Sequence, residues 1–371
     1  MPKIKVLHII KSLGRGGAEM LLPATVHQHN KEQFEFHCIY FLPWKNQMVT
    51  ALQQEGVQVT CFAAKNTLQM LLQIPALTRY IRTHRIDLVH AHLPWAGIVA
   101  ARAGARAKVP VVYTEHNNVN RYHQITRWFN RFSYAGFKEV IAVSDDAGEA
   151  AAAQFTKSPT TIRRIHNGVD THFFSNTEAL KQESKLQLGI AADTLVVSNV
   201  AVFRTQKRLD RWLQIVKQLK AHGLSVRFLL IGDGPLKAEV QQLIAEYDLQ
   251  ELVLLPGLQQ EMKPWFAATD VLLMSSDWEG LPVALLEAMS MGCVPVVTDA
   301  GGIPEVVTDA CGVVYAKEDV ERAVAVIVSL YHDRRALQAY RINARKRIEE
   351  EFSLKKMVGE LEDVYGRIVG R

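Results

Sequence analysis

The strongest constraint on the fold is a repeated alternation of short apolar segments, polar or glycine-containing turns, and helix-forming segments. Residues 5–10 are mostly apolar, residues 14–17 (Gly-Arg-Gly-Gly) form a turn, and a helical segment opens at Ala18. Strand, glycine turn and helix in this order begin a doubly wound α/β domain, whose ligand lies at the carboxyl end of the strand. Glu19 stands where GxGxxG requires its third glycine, so a dinucleotide site is a weak interpretation.

The same alternation continues to the C-terminal part of the chain. In the first half we predict strands at residues 36–41, 58–62, 87–92, 110–117 and 139–144, and a helix at 68–82. The polar, irregular stretch 175–189 is the best place for a domain boundary. After it we predict strands at 194–201, 226–232, 252–255, 271–274 and 294–297, with helices at 209–222 and 236–247. The sequence therefore predicts two Rossmann-like α/β domains, residues 1–175 and 176–352, facing each other across a cleft.

Length and composition agree with this organisation. A chain of 371 residues has room for two ordinary domains, and its 48% hydrophobic and 22% charged residues are typical of a soluble globular protein. The four cysteines are far apart, which favours reduced thiols and a cytoplasmic protein. Residues 1–170 carry 20 Lys+Arg against 11 Asp+Glu, whereas residues 171–371 carry 23 against 27. A basic first half is typical of a surface that meets an anionic partner, although a solvated surface explains the bias equally well.

Residues 276–292 contain two glutamates, Glu279 and Glu287, on either side of a predicted helix start. We expect Pro282 at the first helical position, where its missing N–H costs nothing. The free N–H groups of the first turn would then bind an anion such as phosphate. Glu287, inside the helix, would accept hydrogen bonds from a sugar or ribose hydroxyl. The alternative is an ordinary amphipathic helix with two solvated glutamates.

Three histidines follow or end two predicted apolar strands. His90 and His92 end the strand at 87–92, and His116 ends the strand that begins at Pro110. Parallel strands bring their carboxyl ends to one edge of the sheet, so these side chains are candidate site residues. We do not expect a metal site here, because no pair of histidines has ligand spacing.

Residues 121–132 form a basic, aromatic segment. On a helix, Ile125, Trp128, Phe129 and Phe132 share one face, with arginines nearby. Such a helix either packs into a core or lies on an anionic membrane surface, and the sequence leaves both open. The sequence contains no run of about eighteen apolar residues, so we predict no membrane-spanning helix.

The order of these motifs resembles the retaining, nucleotide-sugar-dependent glycosyltransferases of family 4, which have the two-Rossmann GT-B architecture. The resemblance covers nearly the whole chain. It rests on Gly16-Gly17-Ala18-Glu19, residues 87–92, Thr114-Glu115-His116, Val143-Ser144, Asn167-Gly168-Val169-Asp170, Gly232-Asp233-Gly234-Pro235, residues 279–287, and Gly301-Gly302-Ile303-Pro304-Glu305. It implies that the first domain binds the acceptor, that the second binds the donor, and that a final helix at 353–371 returns to the first domain.

The resemblance also implies roles for single residues. Glu287 would bind the donor ribose, Glu279 would orient the donor sugar, and His116 would lie near the sugar and the leaving phosphate. Lys207 would stabilise the departing diphosphate. Further donor contacts are implied for Gly16, Gly17, Gly257, Gly280, Leu281, Pro282 and Val283. Acceptor contacts are expected from His92, Asn117 and Arg121.

The chain departs from the family pattern at one position. The usual arginine, five residues before Lys207, is replaced by Val202, and we assign Arg204 the second phosphate contact. Lys207, Arg204 and helix dipoles would neutralise the diphosphate, so no metal or other cofactor is expected.

The resemblance therefore implies transfer of a sugar from a UDP- or GDP-sugar to an acceptor hydroxyl with retention. The expected acceptor is a glycan or a lipid-linked compound, and the expected role is cell-surface glycan, polysaccharide or glycolipid biosynthesis. The protein would be cytoplasmic, with peripheral contact to the inner face of an anionic membrane through residues 121–132 and no nucleic-acid partner. A nucleotide-sugar epimerase of the same fold and a non-catalytic nucleotide-sugar-binding protein remain alternatives.

Overall fold

A computed structural model describes residues 2–154 and 160–370. It separates into two compact units, one made of residues 1–168 and 354–371 and the other of residues 169–353. The division falls before the expected boundary at 175/176, because the segment in between packs on the second unit. Ser290 Oγ donates to Phe174 O over 2.7 Å, and the Phe174 ring contacts Phe266 edge-on at 6.4 Å.

In its described part, the first unit is a seven-stranded parallel sheet in the order β3-β2-β1-β4-β5-β6-β7, covered by helices. Its elements are β1 Ile4–Ile10, α1 Gly17–Gln28, β2 Phe34–Tyr40, α2 Val49–Gln54, β3 Gln58–Cys61, α3 Thr67–Leu72, α4 Ile74–Thr83, β4 Leu88–His92, α5 Pro94–Ala107, β5 Val111–Glu115, α6 Gln124–Ser133, β6 Glu139–Ala142, α7 Asp145–Ala152 and β7 Thr161–Arg164. Short 3-10 turns lie at Val119–Arg121 and Tyr134–Gly136. The strands are nearly all apolar because helices cover both faces of the sheet.

The described part of the second unit is a six-stranded parallel sheet in the order β10-β9-β8-β11-β12-β13. Its elements are α8 Glu178–Gln187, β8 Leu195–Val200, a 3-10 turn at Thr205–Lys207, α9 Leu209–Ala221, β9 Val226–Ile231, α10 Lys237–Glu246, β10 Val253–Gly257, α11 Lys263–Ala268, β11 Val271–Met274, α12 Val283–Ser290, β12 Val294–Thr298, α13 Ile303–Val306, β13 Val313–Tyr315, α14 Val320–His332 and α15 Arg334–Glu351. Trp212 on α9 is fully buried in its core.

The last helix, α16 Leu354–Val369, belongs to the first unit and packs against α1. Its apolar side, which includes Met357, Leu361 and Tyr365, is buried in the core beside β1. Glu362 accepts a hydrogen bond from the Asn30 N–H over 2.8 Å, which fixes the helix to the segment after α1. The expected return of the final helix to the first domain is therefore observed.

Two local predictions are wrong. The single helix expected at 68–82 is two helices, α3 and α4, because Pro75 starts a new helix after the turn at Gln73. The stretch 175–189, expected to be irregular, contains α8, whose start is capped by the Thr177 hydroxyl accepting from Leu180 N–H over 3.1 Å.

Candidate active site

In the second unit, the candidate site lies where the strand order reverses. β8 and β11 are neighbours, and the chain continues from β8 to β9 on one side of this pair and from β11 to β12 on the other. The loops after β8 and β11 therefore flank the place where doubly wound sheets bind ligands. The two loops are tied together. Ser275 Oγ lies 3.1 Å from Lys207 O and 2.9 Å from Arg208 O, and Asp277 N–H donates to Gln206 O over 2.8 Å. These hydrogen bonds fix the backbone of the two loops that carry Lys207 and Glu279.

Glu279 is buried and bound by two donors. Lys207 Nζ lies 2.6 Å from Glu279 Oε1, and Ser276 Oγ donates to the same oxygen over 2.6 Å. A buried carboxylate is stable only when it is paired and hydrogen-bonded, and both conditions hold here. Glu279 Oε2 has no hydrogen-bond donor among the described residues. The pair therefore holds Glu279 in place and leaves one carboxylate oxygen for a ligand hydroxyl.

Glycines allow the neighbouring loops to approach the site. Gly232 has φ +135°, and a Cβ there would lie 1.9 Å from Ala201 O, in the segment that leads to Arg204. Gly301 has φ +58°, and a Cβ there would lie 1.9 Å from Glu279 O. Both positions therefore need glycine, for backbone conformation and for space. The Gly232 and Gly301 motifs support the loops that carry Lys207 and Glu279.

Helix α12 begins one residue later than predicted. Pro282 is the residue before the helix, with φ −70° and ψ 119°, and Val283 is the first helical residue. Proline holds the extended backbone that leads into the helix, so its rigid ring still defines the start. Gly280 and Leu281 are buried just ahead of it, and in the first turn Leu285 N–H donates to Pro282 O over 3.1 Å. The anion site expected at Leu281 to Val283 stays a prediction.

Glu287 lies in the second turn of α12. Its carboxyl group has no hydrogen-bond or ionic partner among residues 2–154 and 160–370, and burial raises its pKa to about 8. An unpaired, poorly solvated carboxyl group is costly unless a ligand supplies donors. Ligand hydroxyl groups would supply them.

The other expected donor-binding residues of this unit differ in exposure and in their hydrogen-bond partners. Arg204 is exposed, and its side chain forms no hydrogen bond or ion pair with any described residue, so its guanidinium is available for an anion. Gly257 ends β10 with φ +75° and accepts from Gly232 N–H over 3.0 Å. Val202, in the place of the family arginine, is also exposed.

Sequence analysis missed two charged residues that support Lys207. Arg211, buried on α9, donates to Ser275 O over 2.7 Å and to Asp277 over 3.1 Å. Arg208 follows Lys207 in the left-handed conformation, φ +46°, and pairs with Asp210 at 2.9 Å. Their arginine-rich neighbourhood, Lys207-Arg208-Leu209-Asp210-Arg211, was the available signal.

In the first unit, Gly16 precedes α1 and Gly17 is its first residue, after the end of β1. Ser12 Oγ donates to Glu19 Oε1 over 2.9 Å, which orders this turn. Glu19, which breaks the dinucleotide motif, is therefore a structural element of the turn.

The structure brings the expected histidines of the first unit together and adds a fourth that sequence analysis missed. His92 Nδ1 lies 3.2 Å from His116 Nε2, and His92 Nε2 lies 3.1 Å from Nδ1 of His8 on β1. The parallel register of β1 and β4 pairs His8 with His90, which was the signal for His8. Asn117 follows His116 directly, whereas Arg121 is exposed in the 3-10 turn beyond it.

His8, His90 and His92 have ligand atoms within 4.8 Å of one another, a grouping that could hold a metal ion and that residue spacing did not predict. Five of the six nitrogens already lie within hydrogen-bond distance of a partner, and His8 Nε2 is the exception. His90 Nδ1 lies 2.5 Å from Tyr365 Oη and His90 Nε2 lies 2.6 Å from Thr114 Oγ1. Both His92 nitrogens contact other imidazoles. Hydrogen bonding therefore satisfies both nitrogens of His90 and of His92, and it leaves His8 Nε2 without a partner among the described residues.

Glu115, immediately before His116, entered the sequence analysis only as part of a motif, and its contacts were not predicted. This fully buried carboxyl group accepts from the hydroxyl groups of Tyr113 (3.2 Å), Tyr134 (3.0 Å) and Tyr122. Burial raises its pKa to about 7, against the opposing effect of the hydrogen bonds. Asn130 of α6 also lies 3.5 Å from it. Glu115 therefore holds the segment from Tyr122 to Tyr134 against the sheet.

Helix α6 does not pack its aromatic residues into a core. Its buried residues are the polar Asn130 and Ser133, whereas Ile125 and Trp128 are each 58% exposed and Phe132 is 54% exposed. Trp128 and Phe132 contact each other edge-on at 4.7 Å. Of the two alternatives for this helix, the core-packing one is wrong. Within the described residues, no helix is both long and apolar enough to cross a bilayer.

Comparison with known proteins agrees with these observations. Residues 15–173 match the family model Glycosyltransferase Family 4, and residues 181–347 match the model Glycosyl transferases group 1. The chain is 27% identical to the putative glycosyltransferase EpsF of Bacillus subtilis over 310 residues, which covers 80% of this chain and 79% of that protein. It is 26% identical to an Escherichia coli UDP-Gal:alpha-D-GlcNAc-diphosphoundecaprenol alpha-1,3-galactosyltransferase over 305 residues, 78% of each chain.

Solved structures share the fold. HepE of Anabaena in complex with UDP-glucose superposes with a TM-score of 0.87 at 21% identity, covering 98% of this chain and all of that one. Sucrose-phosphate synthase of Thermosynechococcus elongatus gives a TM-score of 0.85 at 16% identity, covering 99% of each chain. The two-domain parallel α/β architecture is thus that of the GT-B glycosyltransferases, as predicted.

The fold and the matched families define the protein as a glycosyltransferase of glycan or polysaccharide biosynthesis. More closely, the chain belongs to glycosyltransferase family 4.

Proposed function

We propose that the protein transfers a sugar from a UDP-sugar to a hydroxyl group of a glycan or lipid-linked acceptor, with retention at the anomeric carbon. The observation that carries the proposal is the pairing of Lys207 with Glu279 in the loops that precede α9 and α12, together with the carboxyl group of Glu287, on α12, which has no partner among the described residues. A nucleoside diphosphate is bound by a cation and a helix N-terminus, and the hydroxyl groups of its ribose and sugar are bound by carboxylates that accept hydrogen bonds. UDP is favoured over GDP because HepE was solved with UDP-glucose and the E. coli relative is named for UDP-Gal.

In the proposed reaction, the acceptor oxygen attacks the anomeric carbon on the face from which the diphosphate leaves. The carbon–oxygen bond to the acceptor forms as the bond to the β-phosphate breaks, and the leaving phosphate oxygen takes the acceptor proton. Lys207, Arg204 and the first-turn N–H groups of α12 stabilise the charge that develops on the diphosphate, so we propose a reaction that needs no metal. His116 acts at the donor sugar and leaving phosphate.

The roles of the remaining residues follow the same scheme. Glu287 binds the donor ribose, and Glu279 accepts from donor sugar hydroxyls through Oε2. Gly16, Gly17, Gly257 and the segment Gly280 to Val283 contact the donor, and the nucleobase lies near Gly257. His92, Asn117 and Arg121 contribute to acceptor binding on the basic first unit.

We further propose that α6 lies on an anionic membrane surface. Its apolar face is exposed, and Arg127 and Arg131 flank that face, as in helices that bind the interface of acidic bilayers. A lipid-linked acceptor would be reached from this position.

The proposal is tested by incubating the protein with UDP-sugars and a diphospholipid-linked sugar acceptor, and determining the anomeric configuration of the product by ¹H NMR. The expected product appears only with acceptor and keeps the donor's configuration. An inverted linkage would overturn retention. A changed donor sugar without acceptor would indicate an epimerase, and UDP-sugar binding without turnover of any acceptor would indicate a non-catalytic binding protein.

A further inference from the structure

His8, His92 and His116 form a continuous chain of imidazoles in the first unit. Each neighbouring pair is in hydrogen-bond contact, Nδ1 of His8 to Nε2 of His92 at 3.1 Å and Nδ1 of His92 to Nε2 of His116 at 3.2 Å. β1, β4 and β5 are adjacent in the sheet, so the chain crosses three strands near their carboxyl ends.

Burial favours the neutral form of all three imidazoles at physiological pH. Burial lowers the pKa of His8 to about 3 and that of His116 to about 4, and burial and neighbouring histidines also lower the pKa of His92. A neutral imidazole has one N–H and one lone pair. In a chain of such rings every N–H must point the same way, so only two arrangements of the protons exist.

The far end of the chain distinguishes the two arrangements. His8 Nε2 is buried and has no hydrogen-bond partner among the described protein atoms. One arrangement places a lone pair at this nitrogen and the other an N–H. Orphaned buried N–H groups are rarer in folded proteins than under-used acceptors. The first arrangement is favoured, with the proton on Nδ1 of each ring.

We propose that His8 and His92 are positioning residues that fix His116 in the tautomer protonated at Nδ1. His116 then offers an N–H from Nδ1 and has its Nε2 lone pair occupied by His92. This inference rests on the proposed role of His116 at the donor, and it makes that role hydrogen-bond donation to a sugar hydroxyl or phosphate oxygen. A general-base role is excluded by the same arrangement, because no free lone pair remains on the ring.

The tautomer can be measured directly by two-bond ¹H–¹⁵N NMR on the full chain with ¹⁵N-labelled histidine at pH 7.5, with the His116 signals assigned through His116→Gln. The wild-type protein is expected to show His116 protonated at Nδ1 by about tenfold or more over the other tautomer, given the usual cost of an unpaired buried donor. Protonation at Nε2 would overturn the proposal. This readout needs neither a variant at His8 nor catalytic activity.

Variants of His8 test the chain itself. His8→Leu removes the Nδ1 donor and is expected to give mixed tautomers at His116, whereas His8→Asn, whose amide N–H lies near the Nδ1 position, restores the Nδ1 form. His37→Leu removes another buried histidine of this unit, outside the chain, and is expected to leave His116 unchanged. An unchanged tautomer in His8→Leu would contradict the proposal, and so would a change in wild-type signals on adding a chelator, which would indicate a bound metal.

Kinetics connect the chain to the reaction. His8→Leu is expected to lower kcat about tenfold with little change in donor KM, with recovery in His8→Asn. If His37→Leu changed kcat and donor KM by the same factors as His8→Leu, the effect of His8→Leu would be merely structural. If the wild type transferred no sugar while His116 was protonated at Nδ1, the proposed function would be wrong, but the inference about the hydrogen-bonded histidines would still hold.

Discussion

Lys207 Nζ lies 2.6 Å from Glu279 Oε1, and this ion pair joins the loops that follow the two central strands of the second unit. The lysine is 16% exposed and the glutamate 8%, so the pair is shielded from water on most sides. We propose that its cation meets the donor diphosphate, and Glu279 Oε2 has no hydrogen-bond donor among the described residues. A single contact thus organises both charges of the proposed donor site.

Removing the cation should affect both stability and rate. Lys207→Ala leaves Glu279 buried with only the Ser276 hydroxyl as donor, and we expect a loss of about 2 kcal/mol in the free energy of unfolding, below the range for fully buried pairs because the lysine is partly exposed. The rate should fall by about 10²–10³, typical for losing one charge-stabilising group. Thermal unfolding and kcat measure the two effects, with Lys237→Ala, on an exposed lysine paired with Asp233, as the control. Equal kcat in Lys207→Ala and the control would contradict the role of Lys207.

The buried carboxyl group of Glu287 should destabilise the unliganded protein at high pH. Because the pKa of its unpaired carboxyl group is raised to about 8, ionisation in the folded protein is costly, and the stabilising contribution of the neutral form is lost as pH rises from 4.5 to about 8. Glu287→Gln should therefore raise the unfolding temperature of the unliganded protein at pH 8.5 and leave it nearly unchanged at pH 4.5. An equal shift at both pH values would show that burial of the charge is not the cause.

Glu115 gives a separate pH dependence in the first unit. Its pKa is raised to about 7, so the stability it contributes is present below pH 4.5 and is lost as pH rises to 7. The unfolding temperature of Glu115→Gln relative to wild type should therefore increase between pH 4.5 and 7 and level off above. The buried histidines act in the opposite sense, since their lowered pKa values favour the folded protein above pH 6.5, but they are the same in both proteins and cancel in the comparison. A difference that does not vary between pH 4.5 and 7 would refute the raised pKa.

The exposed face of α6 should bind acidic vesicles. Trp128→Ser is expected to reduce sedimentation with vesicles of phosphatidylglycerol and phosphatidylcholine by about tenfold, whereas Trp44→Ser, at an exposed tryptophan elsewhere in the same unit, should not. Arg131→Gln should weaken binding by about fivefold at low salt, since each basic residue near the surface contributes about 1 kcal/mol. Equal losses in the Trp128 and Trp44 variants would argue against a role for α6.

The fold was largely predictable because strand and helix signals repeat along the chain. Buried parallel strands are nearly continuous apolar runs, so most of them were found within a residue or two. The errors came from local chemistry: Pro75 divided a helix, and Thr177 capped one in a polar stretch. The division between the two units lies before residue 175 because Phe174 contacts Phe266, which is distant in sequence.

The candidate site was only partly predictable. Glu279, Glu287 and Lys207 were proposed from motif order, but the pairing of Lys207 with Glu279 depends on loops brought together by Ser275 and Arg211. His8 was missed because a histidine inside an apolar strand gives no signal until the register with β4 is known. Glu115 was treated only as part of a motif. Its environment could not be predicted, because the three tyrosines that contact it come from different elements and meet only in the folded structure.

The central claim is that the second unit binds a nucleoside diphosphate through Glu287 and Lys207. Calorimetric titration of UDP and GDP into the wild type, Glu287→Gln, Lys207→Ala and the exposed-glutamate control Glu321→Gln tests it most directly. We predict that UDP binds more tightly than GDP, that Glu287→Gln and Lys207→Ala each weaken UDP binding at least tenfold, about 1.4 kcal/mol, and that Glu321→Gln binds like the wild type. Unchanged UDP affinity in Glu287→Gln and Lys207→Ala, or no binding of either nucleotide to the wild type, would contradict the account.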